Sequence, residues 1–254
     1  MWHSDVTLCT YRWLDYGWQV TLQWWLIRRI SMTPVAPTDR IQELQWQFAD
    51  VPSRVVVISG PSAGAGKGKV IQQLKALDPE NLWQSASMTT RARRADDHHQ
   101  YLFVTREEFD AAEADGKMLE ANGVTEGNRY GTPLQPILEH LRLGNTVILE
   151  IEINGARFVH QVLPEALYLY IKPSDGSIED DLAVLKQRLE GRGTNDEASI
   201  QRRLGQARFE LEAAAKADFY DERIINATGK SEAAAARILD LIRAKYYAHG
   251  KHGS

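Results

Sequence analysis

The segment that most constrains this chain runs over residues 55–70 and reads VVVISGPSAGAGKGKV. Its four opening β-branched residues predict a short buried strand. A glycine-rich loop follows and leads through Lys67 into residues with helical spacing. Strand, loop and helix in this order form a phosphate cradle, because backbone N–H groups and the positive end of the helix converge on one point. An ordinary glycine-rich turn is the alternative, and the Gly66-Lys67 pair at the helix start argues against it.

The loop departs from the usual phosphate-binding pattern at two places. Five residues, rather than the usual four, separate Gly60 from the Gly66-Lys67 pair. Gly68 and Lys69 also stand where the pattern has Ser or Thr. We expect the extra residue to bulge near residues 63–64, where the side chains are small.

Composition bounds the class of protein. The 254 residues are 43% hydrophobic, enough for one large domain or two small ones. A net charge of −4 argues against nucleic-acid binding through bulk charge. The single cysteine, Cys9, excludes an internal disulfide and a cysteine-built metal site. We find neither an apolar run of about 18 residues nor a secretory signal, so we expect a cytoplasmic protein with no membrane or nucleic-acid partner.

The N-terminal residues have an unusual composition. Residues 1–31 hold five of the seven tryptophans without a helical or strand period. They are either an aromatic docking arm for a partner or a membrane surface, or an extension upstream of a natural start at Met32; the sequence favours the second. We expect residues 1–53 to be a largely disordered extension with a short helix over 39–50, and residues 248–254 to be a tail.

Short strands and helices alternate through the rest of the chain. Thr105 and Glu108 form a capping box at the start of one helix. Apolar patterning predicts further strands at 101–104, 146–152, 167–171 and 223–226, and helices at 68–77, 133–143, 179–190, 196–217 and 231–247. This alternation predicts an α/β fold with a central parallel sheet.

Charged residues cluster at three further places. Arg91, Arg93 and Arg94 follow Ser and Thr hydroxyls, and they suit a clamp for a second anion better than a solvated surface. Glu150 and Glu152 end the strand at 146–152, where ligands of open parallel sheets gather. Arginines around residues 188–208 flank a glycine-containing turn, which suits a mobile lid, although such a helix pair alone is more often a plain surface.

Taken together, these motifs resemble the guanylate kinase family, whose members phosphorylate GMP. The resemblance spans residues 54–247. SMTTRARR at 87–94 resembles the family's Ser-x-Thr-Thr-Arg-x-Pro-Arg, with Arg93 in place of the proline. NRYGTP at 128–133, EIEING at 150–155 and RLEGRGT at 188–194 resemble further family motifs in the family's order.

The resemblance implies a P-loop kinase fold in three parts. A central parallel sheet flanked by helices would form the core over 54–83, 133–185 and 218–247. A small mixed α+β subdomain over 84–132 would bind GMP, and a helical lid would cover 186–217. The chain would be a monomer or a homodimer.

The resemblance also implies the activity and its residues: transfer of the ATP γ-phosphoryl to GMP and dGMP. Mg²⁺ would be carried by the nucleotide and water near Glu152, with no direct protein ligand. The implied GMP-binding residues are Ser87, Arg91, Arg94, Tyr101, Glu120, Tyr130, Thr132 and Glu152. The implied ATP-binding residues are Gly60, Ser62, Gly64, Ala65, Gly66, Lys67, Gly68, Lys69, Arg188, Arg192 and Asn226. The implied catalytic charges are those of Lys67, Arg91, Arg188, Arg192 and Arg203. Glu126 competes with Glu120 for the role of guanine-reading carboxylate.

Two other functions stay open on sequence alone. The altered loop would permit a guanylate-kinase-like binding module with weak or no turnover. Lys67 and the lid arginines argue against it, because a binding module has no need of an ATP lid. A kinase acting on another phosphorylated acceptor is the second alternative, and the guanine-side motifs argue against it.

Overall fold

The computed structural model describes residues 37–62, 64–93, 100–125, 127–191 and 196–248, without the side chains of residues 37, 38, 122 and 125. The chain divides into two compact units, Met1–Asp39 and Arg40–Ser254. The architecture given below is that of the second unit.

Helices and strands alternate along most of the described chain. The helices are α1 (Pro37–Phe48), α2 (Lys67–Leu77), α3 (Arg106–Ala114), α4 (Leu134–Arg142), α5 (Ile153–Val162), α6 (Ile178–Glu190), α7 (Glu197–Ala215) and α8 (Ser231–Tyr246). The strands are β1 (Val55–Ser59), β2 (Leu82–Gln84), β3 (Ser87–Thr89), β4 (Tyr101–Phe103), β5 (Met118–Thr125), β6 (Asn128–Pro133), β7 (Thr146–Glu150), β8 (Leu167–Lys172) and β9 (Glu222–Ile225). No described helix is both long and apolar enough to cross a membrane.

The larger sheet is parallel, with its strands in the order β2-β7-β1-β8-β9. Its central strand, β1, is buried at every position. Val55 and Val57 enter one hydrophobic cluster, with residues of α4, α5 and α7, while Val56 and Ile58 enter another, with residues of α2 and α8. Burial on both faces explains why the strand is an unbroken β-branched run. The predicted α/β fold with helices on both faces of a parallel sheet is therefore confirmed.

The smaller sheet is mixed and lies between β2 and α4 in the chain. Its strand order is β4-β3-β6-β5. β3 pairs with β4 in parallel and with β6 antiparallel, and β5 pairs with β6 antiparallel. Helix α3 buries Phe109 completely, and both halves of the capping box predicted at Thr105 and Glu108 are formed. This is the predicted mixed α+β insertion; its bounds as a separate subdomain stay a prediction.

Two differences from the sequence predictions bear on the site and on the core. Strand β7 ends at Glu150, because the next segment turns into α5 and the Glu152 carboxylate caps it by accepting from the Gly155 N–H at 3.2 Å. Helix α1 lies within the predicted extension, yet Leu44 and Phe48 are 0% and 5% exposed in the hydrophobic core. The core therefore begins upstream of the predicted domain start at residue 54. Residues 1–36 and the end of the tail, from residue 249, lie outside the described residues.

Candidate active site

The glycine-rich loop joins the carboxyl end of β1 to the start of α2. Lys67, the first residue of α2, donates from Nζ to the carbonyls of Gly60 at 3.0 Å and Pro61 at 2.9 Å. Gly66 precedes the helix with φ 78°, a left-handed conformation that favours glycine. No described side chain caps α2. The loop therefore wraps around an ammonium group and offers a helix N-terminus without a side-chain cap, which is the electrostatic basis of a phosphate site.

Two residues from distant parts of the chain hold the second half of the loop. Arg188 of α6 donates to the Gly64 carbonyl at 3.1 Å and to the Asn226 carbonyl at 2.6 Å. Asn226, which follows β9, donates from Nδ2 to the Ala65 carbonyl at 2.8 Å. A Cβ at Gly66 would lie 2.7 Å from that amide nitrogen, so glycine is required at this close approach. Burial lowers the pKa of Arg188.

A buried carboxylate holds the first half of the loop. Glu210 of α7 is 4% exposed, and its Oε2 accepts from the Ser62 backbone N–H at 2.7 Å and from the Ser62 hydroxyl at 3.0 Å. The loop is thus fixed from one side by Glu210 and from the other by Arg188 and Asn226.

Two carboxylates lie beside the loop at the end of β7. Glu150 is in register with Ile58 of β1, which brings it to the edge where the loop begins. Burial raises the pKa of the Glu150 carboxyl, and the positive charge of Lys67 opposes that rise. Burial also raises the pKa of Glu152, opposed by N–H groups at the start of α5. This edge of the sheet therefore holds acidic oxygens close to the lysine.

The smaller sheet holds a buried carboxylate, that of Glu120. Thr132 of β6 donates from its hydroxyl to Glu120 Oε1 of β5 at 2.6 Å, and Glu120 is only 5% exposed. A Cβ at Gly155 would lie 2.9 Å from Glu120 Oε2. Glu120 thus links the smaller sheet to the start of α5, which follows β7.

Aromatic and basic side chains gather at the other edge of the smaller sheet. The Arg91 guanidinium carbon lies 5.1 Å from the centroid of the Tyr101 ring, and that ring meets Tyr130 edge-on at 6.2 Å. Ser87 is in register with Tyr101. A small cleft connects this edge to the larger sheet and is lined by Gln84, Ser85, Ser87, Gln100, Tyr101 and Glu150. The structure therefore brings Ser87, Tyr101 and Glu150 around one opening.

The remaining predicted site residues divide into two groups. Gly68 and Lys69 are exposed at the start of α2, and Arg203 lies half-buried in α7, where no described hydrogen bond joins it to the loop. Arg94, Arg192, Glu126 and the predicted bulge at Ala63 lie outside the described residues.

Sequence reasoning missed Glu210, and a signal for it existed. Ala207, Glu210, Leu211 and Ala214 recur at helical spacing and are all buried. A carboxylate on such an apolar face must be hydrogen-bonded, so the pattern predicts that Glu210 has a partner but does not identify it. Gly155 is a second residue whose role the sequence did not indicate: it lies inside α5 and makes room for Glu120.

The fold and the site together define a class of protein. A central parallel strand that leads through a glycine-rich loop and a lysine into a helix is the arrangement of P-loop phosphate-binding proteins. The mixed sheet with its buried carboxylate adds a second polar site next to that loop.

Comparison with known proteins narrows the class to one family. The guanylate kinase family model matches residues 52–241. The chain is 43% identical to the guanylate kinase of Synechocystis sp. over 171 residues, covering 66% of this chain and 85% of that protein. It is 45% identical to the guanylate kinase of Thermobifida fusca over 166 residues, covering 65% of this chain and 80% of that protein. The crystal structure of guanylate kinase from Anaplasma phagocytophilum matches with a TM-score of 0.56 and 27% identity, covering 77% of this chain and 87% of that one. The chain belongs to the guanylate kinase family.

Proposed function

We propose that the protein transfers the γ-phosphoryl group of ATP to GMP, and also to dGMP, giving ADP and the nucleoside diphosphate. Membership of the guanylate kinase family over residues 52–241 carries this proposal. An oxygen of the GMP phosphate bonds to the γ-phosphorus while the bond to the β–γ bridging oxygen breaks. That attacking phosphate carries close to two negative charges at neutral pH, so positioning and charge neutralisation are the main tasks of the protein.

On the ATP side, the loop and Lys67 would receive the phosphates. The ammonium of Lys67 is bonded to loop carbonyls and lies in the field of Glu150, so it is held at the loop rather than free in solvent. A cation held in place neutralises charge in the transition state without reorganising. Arg188 supports the same loop, and the roles proposed for Arg192 and Arg203 are to add positive charge from the lid.

On the GMP side, Glu120 would accept from the guanine N1–H and amino groups. Glu120 is buried and bonded to Thr132, which favours such a role. Guanine would supply a matching pair of donors to the carboxylate, whereas adenine would not, and a mismatched base next to a buried carboxylate is costly. Arg91 and Tyr101, which stack on one another, together with Tyr130, would hold the GMP phosphate, joined by Arg94. Ser87 and Glu152 would complete the base side.

The donor set beside the loop fits Mg²⁺ brought in by the nucleotide. Mg²⁺ in kinases keeps several waters and uses one or two carboxylates together with substrate phosphates. Glu150 and Glu152 supply carboxylates at the end of β7, and the described residues contain no group of three metal-ligating side chains. When bound, the ion would screen the phosphate charges, and Glu152 would hold it through water.

A coupled assay of ADP release tests the proposal. Purified protein is given ATP and Mg²⁺ with GMP, dGMP, AMP, CMP or UMP in turn. We expect turnover with GMP and dGMP and little with the others. Absence of turnover with every acceptor would leave the binding module as the function, and a preference for AMP would contradict the guanine assignment.

A further inference from the structure

We propose that Glu210 is a positioning residue that fixes the first half of the phosphate loop and, through it, the ammonium of Lys67. This inference deepens the proposed function and rests on it. It also assigns Ser62 to the support of the loop rather than to phosphate binding.

The contact itself uses both donors of Ser62. Oε2 of Glu210 accepts from the Ser62 backbone N–H at 2.7 Å and from its hydroxyl at 3.0 Å. Oε1 accepts from Nε2 of Gln206 at 3.0 Å. The side chain is 4% exposed, and a carboxylate shielded to that degree is tolerated only when its oxygens are hydrogen-bonded. The buried carboxylate therefore depends on Ser62 and Gln206 for its hydrogen bonds.

The helix that carries Glu210 is anchored at this point. Ala207, Leu211 and Ala214 lie on the same face and are buried in the hydrophobic core. The Tyr170 hydroxyl of β8 also donates to the Glu210 backbone carbonyl at 3.3 Å. Glu210 is thus held by packing that does not involve the loop, and Ser62 is fixed to it rather than the reverse.

The effect reaches the lysine through two adjacent residues. Ser62 follows Pro61, whose carbonyl accepts from Lys67 Nζ at 2.9 Å, and the Gly60 carbonyl accepts from the same nitrogen at 3.0 Å. A fixed Ser62 therefore fixes an acceptor that orients the ammonium. The anchor matters here because the loop has one residue more than the usual pattern, and a longer, glycine-rich loop loses more conformational freedom when it is ordered.

Steady-state kinetics of two Glu210 variants and one control test this. Glu210→Ala removes the acceptor, Glu210→Gln keeps the volume, and Glu212→Ala removes an exposed carboxylate from the same helix. For Glu210→Ala, which loses a buried acceptor, we expect kcat to fall and KM for ATP to rise. Together these changes should lower kcat/KM for ATP by on the order of tenfold or more. KM for GMP should change less than KM for ATP in both Glu210 variants, because the printed hydrogen bonds of Glu210 go to Ser62, Gln206 and Tyr170 and none of these lies in the smaller sheet. Glu212→Ala should match the wild type within about twofold in all three parameters.

A difference between the kinetic effects on ATP and on GMP distinguishes a positioning role of Glu210 from general damage to the fold. An equal loss for ATP and GMP, or wild-type kinetics in a folded Glu210→Gln or Glu210→Ala protein, would overturn the inference. Circular dichroism establishes folding. If Glu210→Ala does not fold, Glu210→Gln and Ser62→Ala must show a smaller change in the same direction, or the inference fails.

A binding measurement keeps this test distinct from that of the proposed function. Calorimetry with ADP is carried out on the wild type and on the three variants. A wild-type protein that binds ADP but phosphorylates no nucleotide would contradict the proposed function alone. Weaker ADP binding by Glu210→Gln than by Glu212→Ala would still support the anchor, whereas equal binding would refute it.

Discussion

The hydroxyl of Thr132 donates a 2.6 Å hydrogen bond to Glu120 in a buried pair that bridges two strands of the smaller sheet. The two residues are partners in the register of β5 and β6, so their side chains leave the sheet on the same face. The carboxylate extends to the start of α5, where only a glycine, Gly155, leaves room for it. One threonine and one glycine thus position a carboxylate between the two sheets.

Glu120→Gln should impair the use of GMP. The substitution keeps the size of the side chain but replaces an acceptor-only group with an amide that also presents two donors. We expect kcat/KM for GMP, measured at saturating ATP, to fall by about a hundredfold or more. The reason is that the N1–H and amino donors of guanine would then face the amide donor of the glutamine. Glu139→Gln, an exposed change on α4, is the control. A loss below about threefold at Glu120 would exclude it as the residue that reads guanine.

Lys67→Ala should abolish most turnover while leaving the fold intact. Its ammonium is the fixed positive charge nearest to the loop carbonyls of Gly60 and Pro61. Removal of one preorganised group that stabilises transition-state charge costs about a hundredfold to a thousandfold in kcat. Lys75→Ala, in the last turn of the same helix, should keep kcat within about twofold. Activity of Lys67→Ala within a few-fold of the wild type would mean that the loop is not the phosphate site.

Gly66→Ala should destabilise the protein, and Gly205→Ala should stabilise it. Gly66 has φ +78°, and a Cβ there would lie 2.7 Å from the amide nitrogen of Asn226. The left-handed conformation alone costs a residue with a side chain about 1–2 kcal/mol. Gly205 lies inside α7 with open space around it, so alanine gains up to about 1 kcal/mol there. Urea unfolding measures both, and equal midpoints would contradict the steric argument.

Much of the fold was predictable because its signals are local. The β-branched run of β1, the capping box of Thr105 and Glu108, and the glycine-rich loop each depend on a few adjacent residues. The family motifs then indicated which polar residues to examine.

The long-range contacts were not predictable in the same way. Glu210 meets Ser62, and Arg188 meets Gly64, across more than a hundred residues of chain. Such pairs depend on how helices pack against the sheet, and neither partner carries a local pattern that names the other. The burial of α1 was missed for a related reason: a short helix was predicted there, but the surface that covers it was not.

Leu44→Ala should destabilise the fold, although it lies upstream of the region that matches the family model. Leu44 is fully buried in the core, whereas Trp46 of the same helix is 72% exposed. Truncation of a buried leucine costs about 2–5 kcal/mol, and Trp46→Ala should change the free energy of unfolding by less than about 0.5 kcal/mol. Thermal and urea unfolding of the two variants compare them directly. Similar stabilities would show that α1 does not belong to the core.

The free energy of unfolding of Glu150→Gln, relative to that of the wild type, should increase as the pH rises. Burial raises the pKa of Glu150 above its ordinary value of 4.5, with the charge of Lys67 opposing. An acid with a raised pKa in the folded state contributes stability that is fully present below the unfolded pKa and is lost as the pH rises through the folded pKa. The wild type therefore loses stability between acidic and neutral pH that the glutamine variant keeps.

Urea midpoints measured from below the ordinary glutamate pKa to neutral pH check this prediction. Exposed Glu165 provides the reference, since Glu165→Gln makes the same change in net charge at the surface. The stability gain of Glu150→Gln over Glu165→Gln should increase with pH and level off once the wild-type carboxyl is ionised. A gain that falls with pH would mean that the attraction of Lys67 outweighs burial, and Glu150 would then act as an ion-pair partner that stabilises the lysine.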